Sequence, residues 1–390
     1  MEILSPFVWI PAGAIAIGAA GLTGGYYVLR RKGMDRWLLP YLLTAEKRRD
    51  PKPGDPIHVL ICICDHYEPK LGGVSPIMAN QRVQRWVAEY PRQFSRFRDS
   101  DGRSPRHTFF FPVEEYEPEY LDSLGELCRA GFGEVEIHLH HDNDNADHLR
   151  QTLLEFKTLL HERHGLLGRD KLTGEITYGF IHGNWALDNA RRDGRWCGVN
   201  NELDVLRETG CYADFTLPSA PSETQTRKIN SIYWAVDDPA RPKSHNWGVD
   251  VGASPRPDRS LLMIQGPLLL DWQRRKWGIA PGIENACIQG SQPPSMARLD
   301  LWLRAGVQVA SRPDWYFVKL HTHGANEANM PVLLGDPMVR FHEQLAQRAS
   351  LDRDFQFHYV TSRELANLAL AAASDTKLAV ADVIRDSCLT

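Results

Sequence analysis

Short apolar stretches alternate with amphipathic stretches from His58 almost to the end of the chain. Residues 58–64 (HVLICIC) and 134–141 (EVEIHLHH) have the pattern of strands, whereas residues 118–131 and 146–165 place their apolar side chains on one helical face. A strand followed by a helix recurs about six or seven times, which is typical of a parallel sheet covered by helices. We therefore predict an α/β fold, with an incomplete (β/α)7-type barrel as its architecture.

Histidines and carboxylates are concentrated where the predicted strands end. In a parallel barrel the carboxyl ends of all strands lie on one rim, so these side chains are expected to meet there. Imidazole and carboxylate groups together are typical ligands of a divalent metal. The residues concerned are Asp65, His66, His140, Asp144, His182, His321 and His323.

The N-terminal segment carries no charge from Ser5 to Leu29 and is followed by Arg30, Arg31 and Lys32. A membrane-spanning helix needs roughly 20 apolar residues, and basic residues favour the cytoplasmic side. We therefore expect a single-pass membrane protein that contacts the lipid bilayer through residues 5–29, with its large domain in the cytoplasm. The predicted division is an anchor (1–32), a proline-containing linker (33–56), a barrel (57–373) with a loop-rich insertion at about 219–300, and a tail (374–390).

Charge and cysteine content exclude two classes of protein. The chain has 45 basic and 49 acidic residues, so it lacks the basic excess expected of a nucleic-acid-binding protein. Its seven cysteines are scattered and odd in number, which argues against a disulfide framework.

The order of the motifs resembles that of the polysaccharide deacetylases, a family of metal-dependent carbohydrate esterases with an incomplete barrel. The stretch ICICDHYEP stands where that family has a strand ending in Thr-Phe-Asp-Asp-Gly, and residues 107–144 follow the course of its next strand, helix and His-x-x-x-His strand. YFVKLHTHG is similar to its strand ending in Leu-His, and FQFHYVTSRELANL to its last strand and helix. The resemblance covers roughly residues 57–370.

The resemblance also implies a ligand set. In the family one Asp and two His hold the metal, and the matching positions here are His66, His140 and Asp144, with Asp142 as an alternative to Asp144. Two imidazoles and one carboxylate suit Zn²⁺, and also Fe²⁺, Mn²⁺ or Co²⁺. Asp65 matches the general base, although in another register it is itself a ligand.

The remaining predicted site residues concern catalysis and substrate binding. His321 matches the histidine that acts as general acid, and its pKa in an unperturbed state suits proton transfer. Trp185 offers an apolar face to a sugar ring, and Asn184 and Asp188 offer hydrogen bonds to sugar hydroxyls. His182 and His323 complete the predicted substrate-binding set.

Three functions remain open from the sequence. The first is a membrane-anchored metal-dependent hydrolase that removes an acetyl or other acyl group from an amino sugar, a polysaccharide or a lipid-linked glycan. The second is a glycoside hydrolase on the same barrel, which requires two carboxylates flanking the bond; Glu114, Glu115 and Asp188 are the available acids. The third is a non-catalytic protein that binds glycan or acts as a scaffold.

Overall fold

The computed structural model describes residues 23–31, 33–44, 54–276, 278, 280–374 and 377–387. The helices are α1 (23–31), α2 (Met34–Thr44), α3 (Pro76–Phe94), α4 (Pro118–Leu127), α5 (Ala146–His164), α6 (Glu202–Glu208), α7 (Met296–Ala305), α8 (Met330–Leu333), α9 (Asp336–Leu351), α10 (Ser362–Ser374) and α11 (Val380–Ser387). The strands are β1 (Ile57–His66), β2 (His107–Pro112), β3 (Gly133–Leu139), β4 (Tyr178–His182), β5 (Cys211–Asp214), β6 (Ile232–Val236), β7 (Val249–Asp250), β8 (Ser260–Ile264), β9 (Leu269–Lys276), β10 (Ala280–Glu284), β11 (Trp315–Thr322) and β12 (Phe355–Tyr359).

Ten of these strands form one mixed sheet in the order β11-β1-β2-β3-β4-β5-β8-β6-β7, with β12 paired to β1. The pairs from β11 to β8 are parallel, whereas β6 runs antiparallel to both β8 and β7. On one side of β1, β12 pairs with its amino-terminal half and β2 with its carboxyl end. The strands β9 and β10 form a separate antiparallel pair.

The α/β class is as predicted, but the predicted (β/α)7-type barrel is corrected to this mixed sheet. Part of the region predicted as loops, 219–300, forms β6 to β10, and β6 and β7 extend the parallel array in the antiparallel sense. The parallel part nevertheless curls upon itself. The buried ammonium of Lys319, on β11, donates hydrogen bonds to the carbonyls of Phe215 and Leu217, which follow β5.

The predicted N-terminal transmembrane helix is also corrected. Within the described ranges, no helix combines the length and apolar character needed to cross a membrane. Residues 5–22 of the predicted span lie outside those ranges, and its last residues fall in α1. The predicted single-pass localisation is therefore wrong.

The predicted linker, 33–56, contains a helix that packs on the domain. In α2, Trp37 is completely buried in a small cluster with Ala220, Ile229 and Leu268. Burying a large aromatic side chain contributes on the order of 2–3 kcal/mol. This packing fixes α2 beside residues 219–222, which line the pocket described below.

Strand β1 is buried on both faces, as a central parallel strand should be. Val59, Ile61 and Ile63 pack into one core cluster, and Leu60 and Cys62 into the other. Because alternate residues face opposite sides, the strand is held rigidly between two apolar layers. The polar side chains at its carboxyl end therefore start from a fixed position.

Candidate metal centre

Four histidines from the carboxyl ends of β1, β3 and β11 converge around one carboxylate, that of Glu68. They form two overlapping groups that share Glu68, and within each group the ligand atoms lie within 4.8 Å of one another. One group is His66, Glu68 and His323; the other is Glu68, His138 and His140.

The histidines of β3 present their Nε2 atoms to the Glu68 carboxylate. The distance from Glu68 Oε1 is 3.1 Å to His138 Nε2 and 3.3 Å to His140 Nε2. The Nδ1 of His138 donates to the carbonyl of Ile181 at 2.8 Å, and the Nδ1 of His140 donates to Glu114 at 2.5 Å. In a neutral ring with its proton on Nδ1, Nε2 is an acceptor. Lone pairs therefore face a carboxylate oxygen, and only a proton or a cation makes that arrangement favourable.

The hydrogen bonds to Nδ1 are those expected around a metal ligand. A ligating histidine usually donates its other ring N–H to a carboxylate or a carbonyl, which fixes the tautomer and the ring orientation. Glu114 and the carbonyl of Ile181 do this for His140 and His138.

His66 and His323 close the other side of the centre. Their rings stack with centroids 4.7 Å apart, and the His66 ring also meets the His138 ring edge to face at 4.9 Å. His66 Nε2 is buried with no hydrogen-bond partner among the described residues. An unpaired buried polar atom costs about 1–3 kcal/mol, so a ligand that satisfies His66 is favoured.

Metal binding requires neutral imidazoles and ionised carboxylates, and the pKa shifts of His66, His323 and Glu68 favour those states. Burial, together with neighbouring histidines, lowers the pKa of His66 well below its usual value. Burial also lowers the pKa of His323. At Glu68 burial works against ionisation, but the contact with His138 and the other nearby histidines outweigh it and lower the pKa. At His140 burial opposes charge, but the neighbouring carboxylates outweigh it and raise the pKa, so a cation bound there has to replace a proton.

A pocket of about 710 Å³ opens beside these ligands, within the range of small-molecule sites. His323, His321 and Trp185 form its inner part, and residues 219–222 and 281–292 contribute most of the remaining wall. His321 Nδ1 and Trp185 Nε1 are buried and have no hydrogen-bond partner in the described part of the chain. The pocket therefore meets the centre at His323, and two of its lining residues carry buried polar atoms without a partner in that part of the chain.

Asp65, the predicted general base, is completely buried and already bonded. His107 Nε2 lies 2.8 Å from Asp65 Oδ2, and the amide of Gly324 donates to Oδ1 at 2.5 Å. Trp86 Nε1 fixes the same turn through the carbonyl of Gly324. Since Gly324 follows His323, Asp65 acts on the centre by positioning that histidine.

Asp144, the predicted third ligand, does not join either group containing Glu68. Its carboxylate contacts His141 Nδ1 at 3.1 Å and His148 Nδ1 at 2.7 Å. Its backbone amide donates to the carbonyl of Cys197. These bonds direct Asp144 into a neighbouring cluster with His141.

Of the substrate-binding residues predicted at and after the end of β4, some lie at the pocket and others are buried in the fold. Trp185 lines the pocket, and Asn184 lies in the same turn with φ of 54°. His182 and Asp188 are completely buried. Asp188 Oδ2 accepts a hydrogen bond from the amide of Ser244, so this carboxylate is part of the loop framework.

Glu68 and His138 are absent from the residues predicted from sequence. Side chains two positions apart in extended chain share one side, and this periodicity was the available signal: Glu68 is two residues beyond His66, and His138 two before His140. No signal in the spacing alone shows that the two segments meet.

Comparison of this chain with protein-family models and with curated proteins found no match. The resemblance to polysaccharide deacetylases therefore rests on the order of the motifs, and the structure contributes groups of residues that could hold a metal ion.

Proposed function

We propose that this chain is a metal-dependent hydrolase that removes an acyl group, such as acetyl, from an amino sugar or a polysaccharide. The observation that carries the proposal is the orientation of His138 and His140, whose Nε2 atoms both face the Glu68 carboxylate while their Nδ1 atoms are already bonded. This arrangement lies at the carboxyl ends of parallel strands, where α/β enzymes place their active sites.

One of the two overlapping groups, Glu68 with His138 and His140 or Glu68 with His66 and His323, would hold the ion. Three protein ligands leave a coordination position for water. A divalent cation bound by such residues lowers the pKa of a bound water to about 7 and polarises a carbonyl group. Imidazole and carboxylate ligands suit Zn²⁺, Fe²⁺, Mn²⁺ or Co²⁺.

His321 is the residue proposed to move the proton. It lines the pocket, and its Nδ1 is buried without a partner in the described ranges. Burial, with the positive charge of Lys319 next, lowers the pKa of His321 well below its usual value, so the ring is neutral before the reaction. His321 would take the proton of the attacking water and return it to the amine nitrogen as the C–N bond breaks.

The pocket wall supports a carbohydrate substrate. Trp185 offers an aromatic face, and Gln289 and Gln292 offer amide groups that pair with hydroxyls. None of the described residues that line the pocket is acidic. A glycoside hydrolase needs two carboxylates across the bond, so the wall favours deacylation over glycosidic cleavage.

Acetate release from acetylated amino sugars and their oligomers tests the proposal. The full-length protein is assayed with Zn²⁺, Mn²⁺ or Co²⁺ beside the variant Glu68→Gln, which keeps the side-chain shape and removes the charge. The control variant is His358→Gln, since His358 is also buried and bonded to a carboxylate, Asp101, but lies beside the amino-terminal half of β1.

We expect acetate release by the wild type and by His358→Gln, and its loss in Glu68→Gln. Bound metal without release from any acetylated sugar would refute the reaction. Absence of metal from the wild type after incubation with all three ions would refute the centre itself.

A further inference from the structure

A second cluster of ligating side chains lies beneath the turn that follows β4. It consists of His141, His182, Cys197 and Glu202, whose ligand atoms all lie within 4.8 Å of one another. His182, Cys197 and Glu202 are completely inaccessible to solvent. None of the four belongs to the groups around Glu68.

The side chains of this cluster point at the Glu202 carboxylate. His141 Nε2 lies 3.2 Å and His182 Nε2 3.5 Å from Glu202 Oε1, and Cys197 Sγ lies 3.3 Å from Oε2. The Nδ1 atoms of the two histidines are already bonded, that of His141 to Asp144 and that of His182 to the carbonyl of Gly183. Each Nε2 is therefore the free ligating atom, directed by a partner on the other side of its ring.

One of the four ligand atoms has no hydrogen-bond partner in the described part of the chain. His182 Nε2 is buried and has no hydrogen-bond partner among the residues that the structure describes, although it is directed at Glu202. A buried polar atom in this state destabilises the fold unless a ligand satisfies it.

We propose that His141, His182, Cys197 and Glu202 bind a structural zinc ion. Tetrahedral Zn²⁺ with bonds of about 2.0–2.3 Å separates its ligand atoms by roughly 3.3–3.6 Å. The two imidazoles and the thiol lie 3.2, 3.5 and 3.3 Å from the nearer oxygen of Glu202, and all four ligand atoms lie within 4.8 Å of one another. A thiolate with imidazoles selects Zn²⁺ over Mg²⁺ or Ca²⁺. Four protein ligands leave no coordination position for substrate, so the ion has a structural role.

Charge balance agrees with this ligand set. Binding releases the Cys197 thiol proton to solvent, and the thiolate and the Glu202 carboxylate then neutralise the two charges of the ion. A neutral buried centre avoids the desolvation penalty of an uncompensated buried charge.

The zinc ion would stabilise the turn that carries Trp185 into the pocket. Positive φ angles, between 53° and 54°, are found at Asn184, Trp185, Asp188 and Asn189. This conformation is strained for residues other than glycine and persists only when its surroundings enforce it. The amide of Asp188 donates to Glu202 Oε2, and the amide of Asn189 to Cys197 Sγ at 3.3 Å. The two ligands thus hold the turn directly.

The competing explanation is a proton in place of the ion. Burial opposes charge on His141, but Asp144 and Glu202 outweigh it and raise its pKa to about 9. A protonated His141 paired with Glu202 would account for those two side chains, though it leaves His182 Nε2 unpaired.

Cobalt substitution separates the two explanations because a cysteine ligand produces a thiolate-to-cobalt charge-transfer absorption. Full-length protein is stripped with a chelator and titrated with Co²⁺ beside the variants Cys197→Ala and Cys211→Ala. Cys211 is the matched control, since it is also buried and donates only to a carbonyl. The variant Glu68→Gln is titrated in parallel.

We expect the absorption in the wild type, in Cys211→Ala and in Glu68→Gln, and its loss in Cys197→Ala, with one fewer metal ion per chain. No absorption in the wild type, or absorption that persists in Cys197→Ala, would overturn the proposal and leave the protonated pair. If Cys197→Ala does not fold, Cys197→Ser, which keeps the size of the side chain, is titrated in its place with the same expected loss of absorption. Absorption without acetate release would refute the proposed reaction and leave this site standing.

Discussion

An added methyl group at Gly183 should displace a metal ligand without removing it. A Cβ at this position would lie 2.3 Å from His140 Cδ2, 2.5 Å from its Cγ and 2.8 Å from the carbonyl oxygen of Leu139. Gly183 is not among the residues with positive φ, so its backbone tolerates alanine. The variant Gly183→Ala therefore perturbs the centre through the position of His140.

The size of the displacement follows from these contacts. Ordinary contact begins near 3.4 Å, so the His140 ring must move by about 1.1 Å (3.4 − 2.3). Its Nε2 now lies 3.3 Å from Glu68, and a shift of that size breaks the arrangement. A misplacement of about 1 Å can cost about 10²-fold in rate, equivalent to about 2.7 kcal/mol. Overpacking should also destabilise the fold by about 1–3 kcal/mol.

The assay combines acetate release, zinc titration and urea unfolding of Gly183→Ala and a control glycine variant. Gly168→Ala is the control because its Cβ would meet only the Arg363 side chain, at 3.5 Å. We expect about 10²-fold slower release and weaker zinc binding in Gly183→Ala, with near wild-type behaviour in Gly168→Ala. A folded Gly183→Ala protein with wild-type zinc affinity and rate would refute the assignment of His140.

Three further substitutions test separate parts of the molecule. Asp65→Ala leaves two buried hydrogen-bonding groups unpaired, so we expect the free energy of unfolding to fall by about 1–3 kcal/mol for each group. Zinc binding should also weaken, because His323 is displaced. Wild-type values in urea unfolding and in zinc titration would contradict this prediction. Arg298→Ala removes the bidentate partner of the buried Glu284 carboxylate. Urea unfolding should then show a free energy of unfolding lower by about 3–5 kcal/mol. A decrease below about 1 kcal/mol would refute this prediction. Burial lowers the pKa of His342 to about 3. Between pH 6.5 and 3 the unfolded chain therefore binds a proton that the folded chain does not. The free energy of unfolding falls in this range by up to about 1.4 kcal/mol for each unit by which the pH decreases. His342→Leu should flatten that part of the stability curve, and an unchanged slope would contradict it.

Elements with strong local signals were predictable from the sequence. The helix predicted over 146–165 is observed as Ala146–His164, where the Asn145 side chain caps the first turn and Gly165 ends the last in the left-handed conformation. The strand predicted over 58–64 lies within Ile57–His66. Both depend on neighbouring residues in the chain, which a sequence displays directly.

Elements stabilised by distant contacts were not predictable to the same degree. The strands of the 219–300 region are two to eight residues long and separated by turns, so each carries little periodic signal. Helix α3 is absent from the sequence-based prediction although Val83, Trp86 and Tyr90 share its buried face. Its polar residues and the internal Pro91 obscure that face in the sequence.

The residues of the candidate centre were likewise only partly predictable from the sequence. The strand-end rule grouped His66, His140, His321 and His323 correctly in one region, because the carboxyl ends of parallel strands share an edge. Which carboxylate reaches them depends on the course of two loops, and here it is Glu68. Asp144 is diverted toward His141 after Asn143, whose φ of 50° turns the chain. Spacing within one segment cannot encode that contact.

Calorimetric zinc titration of the wild type, Glu68→Gln and His358→Gln measures most directly whether the residues around Glu68 hold a cation. We expect Glu68→Gln to lose one class of zinc sites that the wild type and His358→Gln both retain. Equal zinc binding by Glu68→Gln and the wild type would contradict the proposed centre.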